Sequence, residues 1–523
     1  MDDVADVADV AIIGFGPSGA VAAALLGSAG LKVLVIEQSR DVYDKPRAIS
    51  LDHEIMRVLQ GISPMLADRI VAHTEPFSPS EHFGADGQMI RRLDMLSPPY
   101  PMGWTPSMVF LQPPVEAILR EHVASLPSVD VRLGVKLQGL TQANSICELQ
   151  CVDSDGLAHQ FQARYVIGCD GASSSARRIV DLPLDDLGFD EPWLVVDVLA
   201  NEKGLARLSK ASAQFCEPAR PASYLIGTGK HRRWEIMLLP GENPQEMESD
   251  AKVWELLSRW ISPDEGTLWR RASYRFHALV AKQWRSGNVF IAGDAAHQQP
   301  PFLGQGMCQG IRDVANLTWK LQQVLESKAS NVLLDSYGLE RSAHVRQLTG
   351  TIKMIGASIC ERNPEAAKLR DQKLLEACSG VVKTVPRQDL IPKLSTGFLA
   401  TGEYAAIGSL FVQPRVHVNS GTQLLDDAAG AGWRIVLSYE AIQWAPKTHS
   451  ELFNVIRFAD VAQVGVWQEV DDVLSRWFVG HKVHAAIVRP DHYVYAVAIT
   501  ELELNKQLAE LQKSFQGDFY VAS

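Results

Sequence analysis

The stretch that decides the fold is Gly14-Phe15-Gly16-Pro17-Ser18-Gly19, which follows a run of apolar residues beginning near residue 6. Residues 6–14 predict a strand buried on both faces, because nearly every side chain is apolar. The alanine- and leucine-rich residues 18–30 predict a helix, and KVLVIE at 32–37 predicts a second buried strand. The first 37 residues therefore predict a βαβ unit with parallel strands and a right-handed crossover.

The spacing of the glycines, G-x-G-x-x-G, is typical of a dinucleotide-binding turn. Gly14 permits the tight turn, Gly16 lets the backbone approach a pyrophosphate, and Gly19 lets the helix pack closely on the strand. The N-terminus of the helix then offers free N–H groups to phosphate. Glu37 ends the second strand, where it can accept hydrogen bonds from an adenosine ribose. The motif predicts a bound dinucleotide but does not separate FAD from NAD(P).

Two more buried strands are predicted far along the chain, and both end in glycine and aspartate. RYVIGC (164–169) runs into Asp170-Gly171, and GNVFIA (287–292) runs into Gly293-Asp294. Ligands of open α/β sheets bind beyond the carboxyl ends of the strands. We therefore expect one cofactor site, assembled from segments that are distant in sequence.

The segment pattern predicts an α/β fold with three domains. Residues 1–181 and 285–395 form a Rossmann-like cofactor-binding domain, the second part of which is rich in helices. Residues 182–284, with alternating runs such as WEIMLL (234–239), predict an inserted, mostly antiparallel β-sheet domain for the substrate. Some strands of that domain are expected near residues 76–105. Residues 396–523 return to strand-like runs and predict a third, C-terminal domain.

Composition excludes several classes of protein. The 523 residues carry a net charge of −11 and no long run of Lys or Arg, so we expect no nucleic-acid partner. Residues 1–9 hold four Asp and no basic residue, and no apolar run is long enough to span a bilayer. Seven scattered cysteines without a CxxC pair fit a reducing compartment. A cytoplasmic protein with no membrane association is expected, and no metal site, since His297 has no second ligand at metal spacing.

Two further motifs carry a resemblance to a known family. CDGASSSAR (169–177) resembles the D-G-x-x-S-x-x-R element of flavoprotein hydroxylases, and GDAAHQQPP (293–301) resembles their G-D-A-A-H-x-x-P-P element. The chain is therefore similar to the class A flavoprotein aromatic hydroxylases, the group of p-hydroxybenzoate and phenol hydroxylases. Its likeness is greatest to the 3-(3-hydroxyphenyl)propionate hydroxylases, on the segments PRAI (46–49), FLQP (110–113), CEPARP (216–221), LDSY (334–337) and RPD (489–491).

The resemblance implies FAD as cofactor and NADH or NADPH as co-substrate. Asp294 would bond the ribityl hydroxyls, Arg47 and Gln112 would contact the phosphates and the ribityl chain, and Asp170 would serve both FAD and nicotinamide binding. N–H groups at the start of a helix near Gly304 would face the flavin C2 carbonyl, where the helix dipole stabilises negative charge. The remaining contacts implied by the resemblance come from Pro301, Gly304, Gly306, Met307 and Cys308. The chain departs from the family at Leu303, a common glycine, and at Cys308, a common asparagine.

The candidate residues for the ring pocket are fewer than those for the cofactor. His53 titrates in the range suited to a base, or it is a surface or capping histidine. Arg220 either pairs with a substrate carboxylate or forms a structural ion pair. Pro301 is expected beside the flavin. The other candidates are Tyr224, Arg233 and Trp234.

The resemblance implies a monooxygenase that reduces its flavin with NAD(P)H, forms a C4a-hydroperoxide with O2 and hydroxylates an aromatic ring. The expected substrate is a phenol with a short acid side chain, such as 3-hydroxyphenylpropionate, while a fused N-heteroaromatic of the hydroxyquinoline type stays open. A dehydrogenase on the same fold and a non-catalytic flavin-binding protein are the rivals. A halogenase is disfavoured because W-x-W-x-I-P is absent. Residues 396–523 resemble the thioredoxin-like domain of phenol hydroxylase relatives. We expect this domain to have a structural or dimer-supporting role, and the resemblance implies a homodimer.

Overall fold

The computed structural model describes residues 7–418, 421–448, 452–460 and 465–517, so the outermost residues of the first and third predicted domains lie outside it. The predicted βαβ unit is confirmed: Ala8–Ile13 pairs in parallel with Val33–Glu37, and also with Ala158–Gly168. In spatial order the described strands of this first sheet are Arg285–Ser286, Val289–Ile291, Ala158–Gly168, Ala8–Ile13, Val33–Glu37 and Val129–Leu133, with Ile146–Asp153 and Val135–Ala143 attached in antiparallel fashion.

The helix Pro17–Ser28 packs closely on this sheet because its residues are small. Proline at its first position suits a helix start, where no N–H partner is needed. A Cβ at Gly19 would lie 2.0 Å from the carbonyl oxygen of Gly14, so only glycine allows this approach. The helix Gly306–Leu325 lies against it, and together they bury the face of the first sheet.

A second, larger sheet is built mainly from the predicted insertion. Its two long strands, Leu184–Ala200 and Gly266–Ala281, are antiparallel. The hairpin expected near residues 76–105 joins it, and so does Thr384–Pro386, which the sequence analysis had placed with the first sheet's domain. In spatial order its described strands are His297–Gln298, Gly266–Ala281, Leu184–Ala200, His231–Met237, Ala222–Ile226, Ser212–Phe215, Ser80–Phe83, Met89–Asp94 and Thr384–Pro386.

The two faces of the second sheet have opposite characters. Side chains alternate along each strand, so Tyr224 and Trp234, which are paired across two strands, share one face. That face packs on the helix Asp250–Leu257 in an apolar cluster. Ser223 and Glu235 are paired in the same way on the opposite face, which is turned toward the first sheet. The polar face therefore becomes a wall of the space between the sheets.

Shorter elements complete this part of the chain. A small three-stranded sheet is formed by Ser50–Asp52, Ser107–Phe110 and Thr74–Pro76. The other described helices before residue 400 are His53–Ile62, Pro64–Val71, Gln112–Ala124, Ser175–Ile179, Glu202–Arg207, Pro244–Met247, Asp250–Leu257, Asp335–Ile359 and Pro364–Ala377. None of the helices in the described ranges has the length and apolar character needed to cross a bilayer.

The C-terminal part is a mixed α/β unit. Its main sheet has the order Phe453–Arg457, Trp433–Leu437, Ala485–Val488 and Val494–Ala498, with the first pair parallel and the others antiparallel. This mixed order fits the expected thioredoxin-like fold. The accompanying elements are the hairpin Arg415–Val418 and Gly421–Leu424 and the helices Leu425–Ala429, Val473–His481 and Glu501–Phe515.

A buried ion cluster joins the C-terminal unit to the first one. Asp426 accepts hydrogen bonds from Nε and Nη2 of Arg57, at 2.7 and 3.0 Å, and from Arg434. The side chains of all three residues are almost fully buried. The two guanidinium groups hold the pKa of Asp426 far below its usual range, against the opposing effect of burial. The pair of arginines therefore depends on one carboxylate for its charge balance.

We expect Asp426→Asn to destabilise the protein by about 3–5 kcal/mol, because two buried guanidinium groups would lose their counter-charge. Urea unfolding monitored by tryptophan fluorescence measures this loss. The matched control is Asp130→Asn, which breaks an exposed pair with Arg132 and should cost at most about 1 kcal/mol. Equal losses in the two variants would contradict the role given to the cluster.

Candidate functional site

A cavity of about 1040 Å³ lies between the carboxyl ends of the first sheet's strands and the polar face of the second sheet. Its lining includes every residue that the sequence analysis assigned to the cofactor except Gly19 and Cys308. These lining residues are Gly14, Gly16, Glu37, Arg47, Gln112, Asp170, Asp294, Pro301, Gly304, Gly306 and Met307. The structure thus brings together residues that are up to about 290 positions apart.

The glycine turn opens onto this cavity. Gly14 has a φ of +98°, and a Cβ there would lie 2.5 Å from the carbonyl oxygen of Cys169. A Cβ at Gly16 would meet no atom within 4 Å. The backbone at Gly16, followed by the N-terminus of the helix Pro17–Ser28, therefore faces open space, as a pyrophosphate requires.

Glu37 and Gln112 brace the backbone around the turn. Glu37 accepts hydrogen bonds from the N–H groups of Phe15 and Ser39, both at 2.7 Å. Gln112 accepts one from the N–H of Ala48 at 2.8 Å and donates to Glu116 at 3.1 Å. Both side chains therefore line the cavity and also hold neighbouring groups of the protein in place.

The Asp170 segment fixes the neighbouring loop. The carboxylate of Asp170 accepts hydrogen bonds from the N–H groups of Ser175 and Ala176, at 2.6 and 3.0 Å, at the start of a short helix. Arg177 in that helix donates to the carbonyl oxygen of Ala295 at 2.9 Å. The residue before Ala295, Asp294, is exposed and lines the cavity.

The helix Gly306–Leu325 points its N-terminus into the cavity. No side chain caps it, so its first N–H groups remain available to a ligand. Gly304 has a φ of +62°, and a Cβ there would come within 2.8 Å of Ser50 Cβ. Met307 lines the cavity, whereas the side chain of Cys308 is buried in the core, with Sγ 3.7 Å from the carbonyl oxygen of Ser50. The departure from the family at Cys308 is therefore accommodated by the protein interior.

His297 and Asp313 hold the loop that precedes this helix. Nε2 of His297 lies 2.7 Å from Oδ2 of Asp313, which also accepts a hydrogen bond from the N–H of Gly293 at 3.0 Å. Arg341 donates to the other oxygen of Asp313 at 2.9 Å. Asp313 thus connects His297 and the backbone at Gly293 to the helix that carries it.

The second sheet presents a buried ion cluster to the same cavity. Asp197 accepts hydrogen bonds from Nε and Nη2 of Arg233, at 2.7 and 3.2 Å, and lies 2.7 Å from Nε2 of His231. Arg233 also donates to the carbonyl oxygens of Arg47 and Pro46, at 2.7 and 3.2 Å. Arg233, one of the ring-pocket candidates, thus ties the second sheet to the segment that lines the cofactor end of the cavity.

Two buried charged residues at the cavity wall, Glu235 and Arg387, lack an ionic partner among the described residues. Glu235 has no hydrogen bond or ion pair to its carboxylate there, although it is only 5% exposed. Burial raises its pKa to about 7, against the opposing effect of Arg233. Arg387 is 8% exposed, lies over the ring of Phe77 and donates to the carbonyl oxygen of Leu303 at 2.8 Å. Burial lowers its pKa to about 10.

The structure does not bring three of the predicted ring-pocket residues to this cavity. Arg220 forms a two-pronged ion pair with Glu242, at 2.9 and 2.6 Å, so its guanidinium is already occupied. Tyr224 and Trp234 point to the apolar face of the sheet because of strand alternation, and the hydroxyl of Tyr224 donates to the carbonyl oxygen of Ser209.

His53 lines a separate, smaller cavity of about 220 Å³. Leu303 and Arg387 line both cavities and stand between them. His53 is buried, its Nδ1 has no partner, and burial lowers its pKa to about 4. It is therefore uncharged near neutral pH and lies behind the wall of the main cavity, not in it.

Sequence reasoning missed Glu235, Arg270, Tyr274 and Arg387 as lining residues. A signal was present for Glu235. It alternates with Trp234 and Ile236 in a predicted strand, and this alternation places an acid on the face opposite to two large apolar residues. Which face met the cofactor could be decided only after the sheets were packed together. For Arg387 the sequence held no comparable signal.

Comparison with known proteins agrees with this geometry. Residues 7–351 match the model of the FAD binding domain family, and residues 408–514 match that of the HcaD C-terminal domain. A protein of Rhodococcus jostii (strain RHA1) named "Probable NADH-specific resorcinol 4-hydroxylase" is 34% identical over 96% of this chain and 94% of its own length. A 3-(3-hydroxy-phenyl)propionate/3-hydroxycinnamic acid hydroxylase of Mycolicibacterium gilvum (strain PYR-GCK) is 33% identical over 96% of this chain and 90% of its own.

The chain belongs to the FAD-dependent aromatic hydroxylases. Among solved structures, the flavin-dependent monooxygenase PieE, in complex with FAD and substrate, has the same fold, with a TM-score of 0.81, 19% identity and coverage of 98% of this chain and 100% of that one. Aklavinone-11 hydroxylase, with FAD and aklavinone, gives a TM-score of 0.79 at 20% identity, with the same coverage. The expected α/β architecture and the assignment to an FAD-dependent hydroxylase family are thereby confirmed.

We expect Gly16→Val to fold normally but to bind FAD more weakly by on the order of tenfold or more, because the added carbons would occupy space beside the helix N-terminus. Equilibrium dialysis of FAD measures the affinity, and circular dichroism checks the fold. Gly61→Ala is the matched control, since a Cβ at Gly61 also meets no atom but lies on a helix away from the cavity. Full FAD affinity in Gly16→Val would contradict the placement of the pyrophosphate.

Proposed function

We propose that this hydroxylase acts on a phenol that carries a short carboxylate side chain, with FAD as cofactor and NADH and O2 as co-substrates. The observation that carries the substrate class is Arg387, a buried guanidinium with no acidic partner in the described part of the chain. A buried charge without a counter-charge is unfavourable, and a bound carboxylate would remove that cost. NADH is favoured because the Rhodococcus relative is named as NADH-specific.

The cavity residues fit FAD along its length. The backbone at Gly14 and Gly16 would hold the pyrophosphate, Glu37 the adenosine ribose and Asp294 the ribityl hydroxyls. The remaining cofactor contacts are proposed for Arg47, Gln112, Asp170, Pro301, Gly304, Gly306 and Met307, and Gly19 and Cys308 support the backbone behind them. FAD held by these residues would supply the chemistry of hydride acceptance and O2 activation.

The protein's own contribution is to position the ring and to exclude water. The uncapped N-terminus of the helix Gly306–Leu325 favours negative charge on whatever lies before it. Apolar side chains form part of the lining together with Pro301 and would keep bulk water from the reacting atoms. These side chains are Phe77, Val195, Leu225, Phe276, Phe302 and Leu303.

The names of the relatives favour a second candidate. The Rhodococcus relative is named for resorcinol, a neutral diphenol without a carboxylate. Resorcinol would use the same apolar part of the cavity but would leave Arg387 without a counter-charge. Hydroxyquinolines, which the sequence left open, would also leave it unpaired. Comparing acidic with neutral phenols therefore separates the candidates.

We expect Arg387→Met to weaken the binding of 3-(3-hydroxyphenyl)propionate by on the order of 10- to 100-fold, because the carboxylate would lose a charge-assisted hydrogen bond. Resorcinol should bind the variant as it binds the wild type. Titrating each ligand into the FAD-loaded protein and following the flavin absorbance measures both dissociation constants.

Arg220→Met is the matched control, because Arg220 is occupied by Glu242 and lies outside the cavity. It should leave the affinity for the propionate unchanged. A wild type that prefers resorcinol or a hydroxyquinoline, or an Arg387→Met variant with full affinity for the propionate, would overturn the proposed substrate class.

A further inference from the structure

Glu235 occupies the centre of the cavity's polar wall. Its strand lies between two others, with Val195 opposite it on one side and Ser223 on the other. Val195 lines the cavity, as does Gln214, which accepts a hydrogen bond from Ser223 at 2.5 Å. Ser223 and Gln214 thus satisfy each other, and the carboxylate of Glu235 is left facing the cavity without a donor from the described residues.

The cations near Glu235 are already engaged by another acid. Arg233, two residues before it, is bound by both oxygens of Asp197. Arg270, from the strand beyond, lies 3.4 Å from Asp197 and donates to the hydroxyl of Tyr274. These groups lower the energy of a negative charge on Glu235 through space, but neither forms an ion pair with it.

A buried acid in this setting requires a hydrogen-bond donor from a ligand. Buried polar groups are nearly always hydrogen-bonded, and an unsatisfied one costs free energy. The ligand's carboxylate is not that donor, because an ionised carboxylate only accepts hydrogen bonds, and Arg387 at the same cavity is a donor that suits it. The remaining donor on the proposed substrate is the hydroxyl of its ring.

We propose that Glu235 binds the ring hydroxyl of the substrate by accepting its hydrogen bond, and that it takes up the hydroxyl proton as the ring is hydroxylated. This inference rests on the proposed function. In the proton transfer the O–H bond of the phenol breaks, an O–H bond forms on the carboxylate of Glu235, and the ring oxygen keeps the electron pair. The ring becomes more electron-rich, which is what attack on an activated oxygen requires.

The electrostatic state of Glu235 suits both parts of this role. Its pKa of about 7, raised by burial, allows the carboxylate to be ionised before the transfer and protonated after it at neutral pH. Arg233 and Arg270 oppose that rise and would also stabilise negative charge on the ring oxygen. Among the acids of the described lining, only Glu116 is as little exposed as Glu235, and Glu116 is already hydrogen-bonded by Gln112 and Arg120.

The test compares two ligands that differ only in the hydroxyl, 3-(3-hydroxyphenyl)propionate and 3-phenylpropionate, on the FAD-loaded protein. A hydrogen bond to an ionised carboxylate should make the wild type bind the phenol roughly 10- to 100-fold more tightly. In Glu235→Leu the two affinities should become nearly equal, and Glu235→Gln, which keeps the size and polarity of the side chain, should reduce the ratio substantially. Glu148→Gln, which changes an exposed side chain on the strand Ile146–Asp153, is the matched control and should keep the wild-type ratio.

A second readout concerns the proton. Glu235→Gln should slow product formation by on the order of 100-fold, the usual contribution of a positioned base, while its affinity for 3-phenylpropionate stays unchanged. Glu235→Asp, which keeps the carboxylate, should recover part of the rate. Discrimination between the two ligands that survives in both Glu235→Leu and Glu235→Gln would overturn the proposal.

Failure of the substrate class is distinguishable from failure of the role of Glu235. If the wild type binds neither propionate, the substrate class is wrong, and the same ratio is measured with phenol and benzene, which likewise differ only in the presence of the ring hydroxyl. Loss of that ratio in Glu235→Leu would support the role of Glu235, and an unchanged ratio would overturn it.

Discussion

The carboxylate of Asp197 is the buried charge on which the site depends. It is fully enclosed within the second sheet, and such a charge is stable only when it is paired and hydrogen-bonded. Its partners include Arg233, which also reaches the carbonyl oxygens of Pro46 and Arg47. One ion pair thus fixes the orientation of the sheet's polar face and attaches that face to the cofactor side of the cavity. Because Asp197 engages the nearby cations, Glu235 is left as an acid without a partner.

The two sheets contribute different groups to the site. The parallel sheet supplies glycine turns, helix N-termini and acids at the ends of its strands, which is the chemistry that holds a dinucleotide. The antiparallel sheet supplies a wall whose residues alternate between core and cavity. Arg387 comes from a third region, beyond the long helices, and closes the gap between the main cavity and the one that contains His53. Of the described C-terminal residues, Ser409, Leu410 and Tyr493 line the second cavity and none lines the main one. The Asp426 cluster is one of the buried contacts that attach the C-terminal unit.

The part of the cavity lining around the glycine turn was predictable from sequence because its residues belong to short motifs with local geometry. The spacing of Gly14 and Gly16, and the glycine and acid at the ends of two other strands, identified the lining before any packing was known.

The ring end was not predictable in this way. Tyr224 and Glu235 both lie in strands of the same sheet, and only the register of pairing and the packing of the sheets decide which of them meets the cavity. Arg220 was a reasonable candidate for a carboxylate until Glu242, 22 residues away, was found to occupy it. The fold class followed from strand and helix patterns, whereas the pairing of Thr384–Pro386 with an early hairpin is a long-range contact that no local pattern indicates.

If one cavity holds the flavin and an aromatic ring together, an oxygen atom can pass from O2 to the ring. Mass spectrometry of the product formed by the FAD-loaded protein from NADH, ¹⁸O2 and 3-(3-hydroxyphenyl)propionate tests this arrangement. We expect a product that has gained one oxygen atom, labelled with ¹⁸O. Oxidation of NADH with all of the consumed O2 recovered as hydrogen peroxide, and no oxygenated product from this phenol, from resorcinol or from hydroxyquinolines, would contradict it.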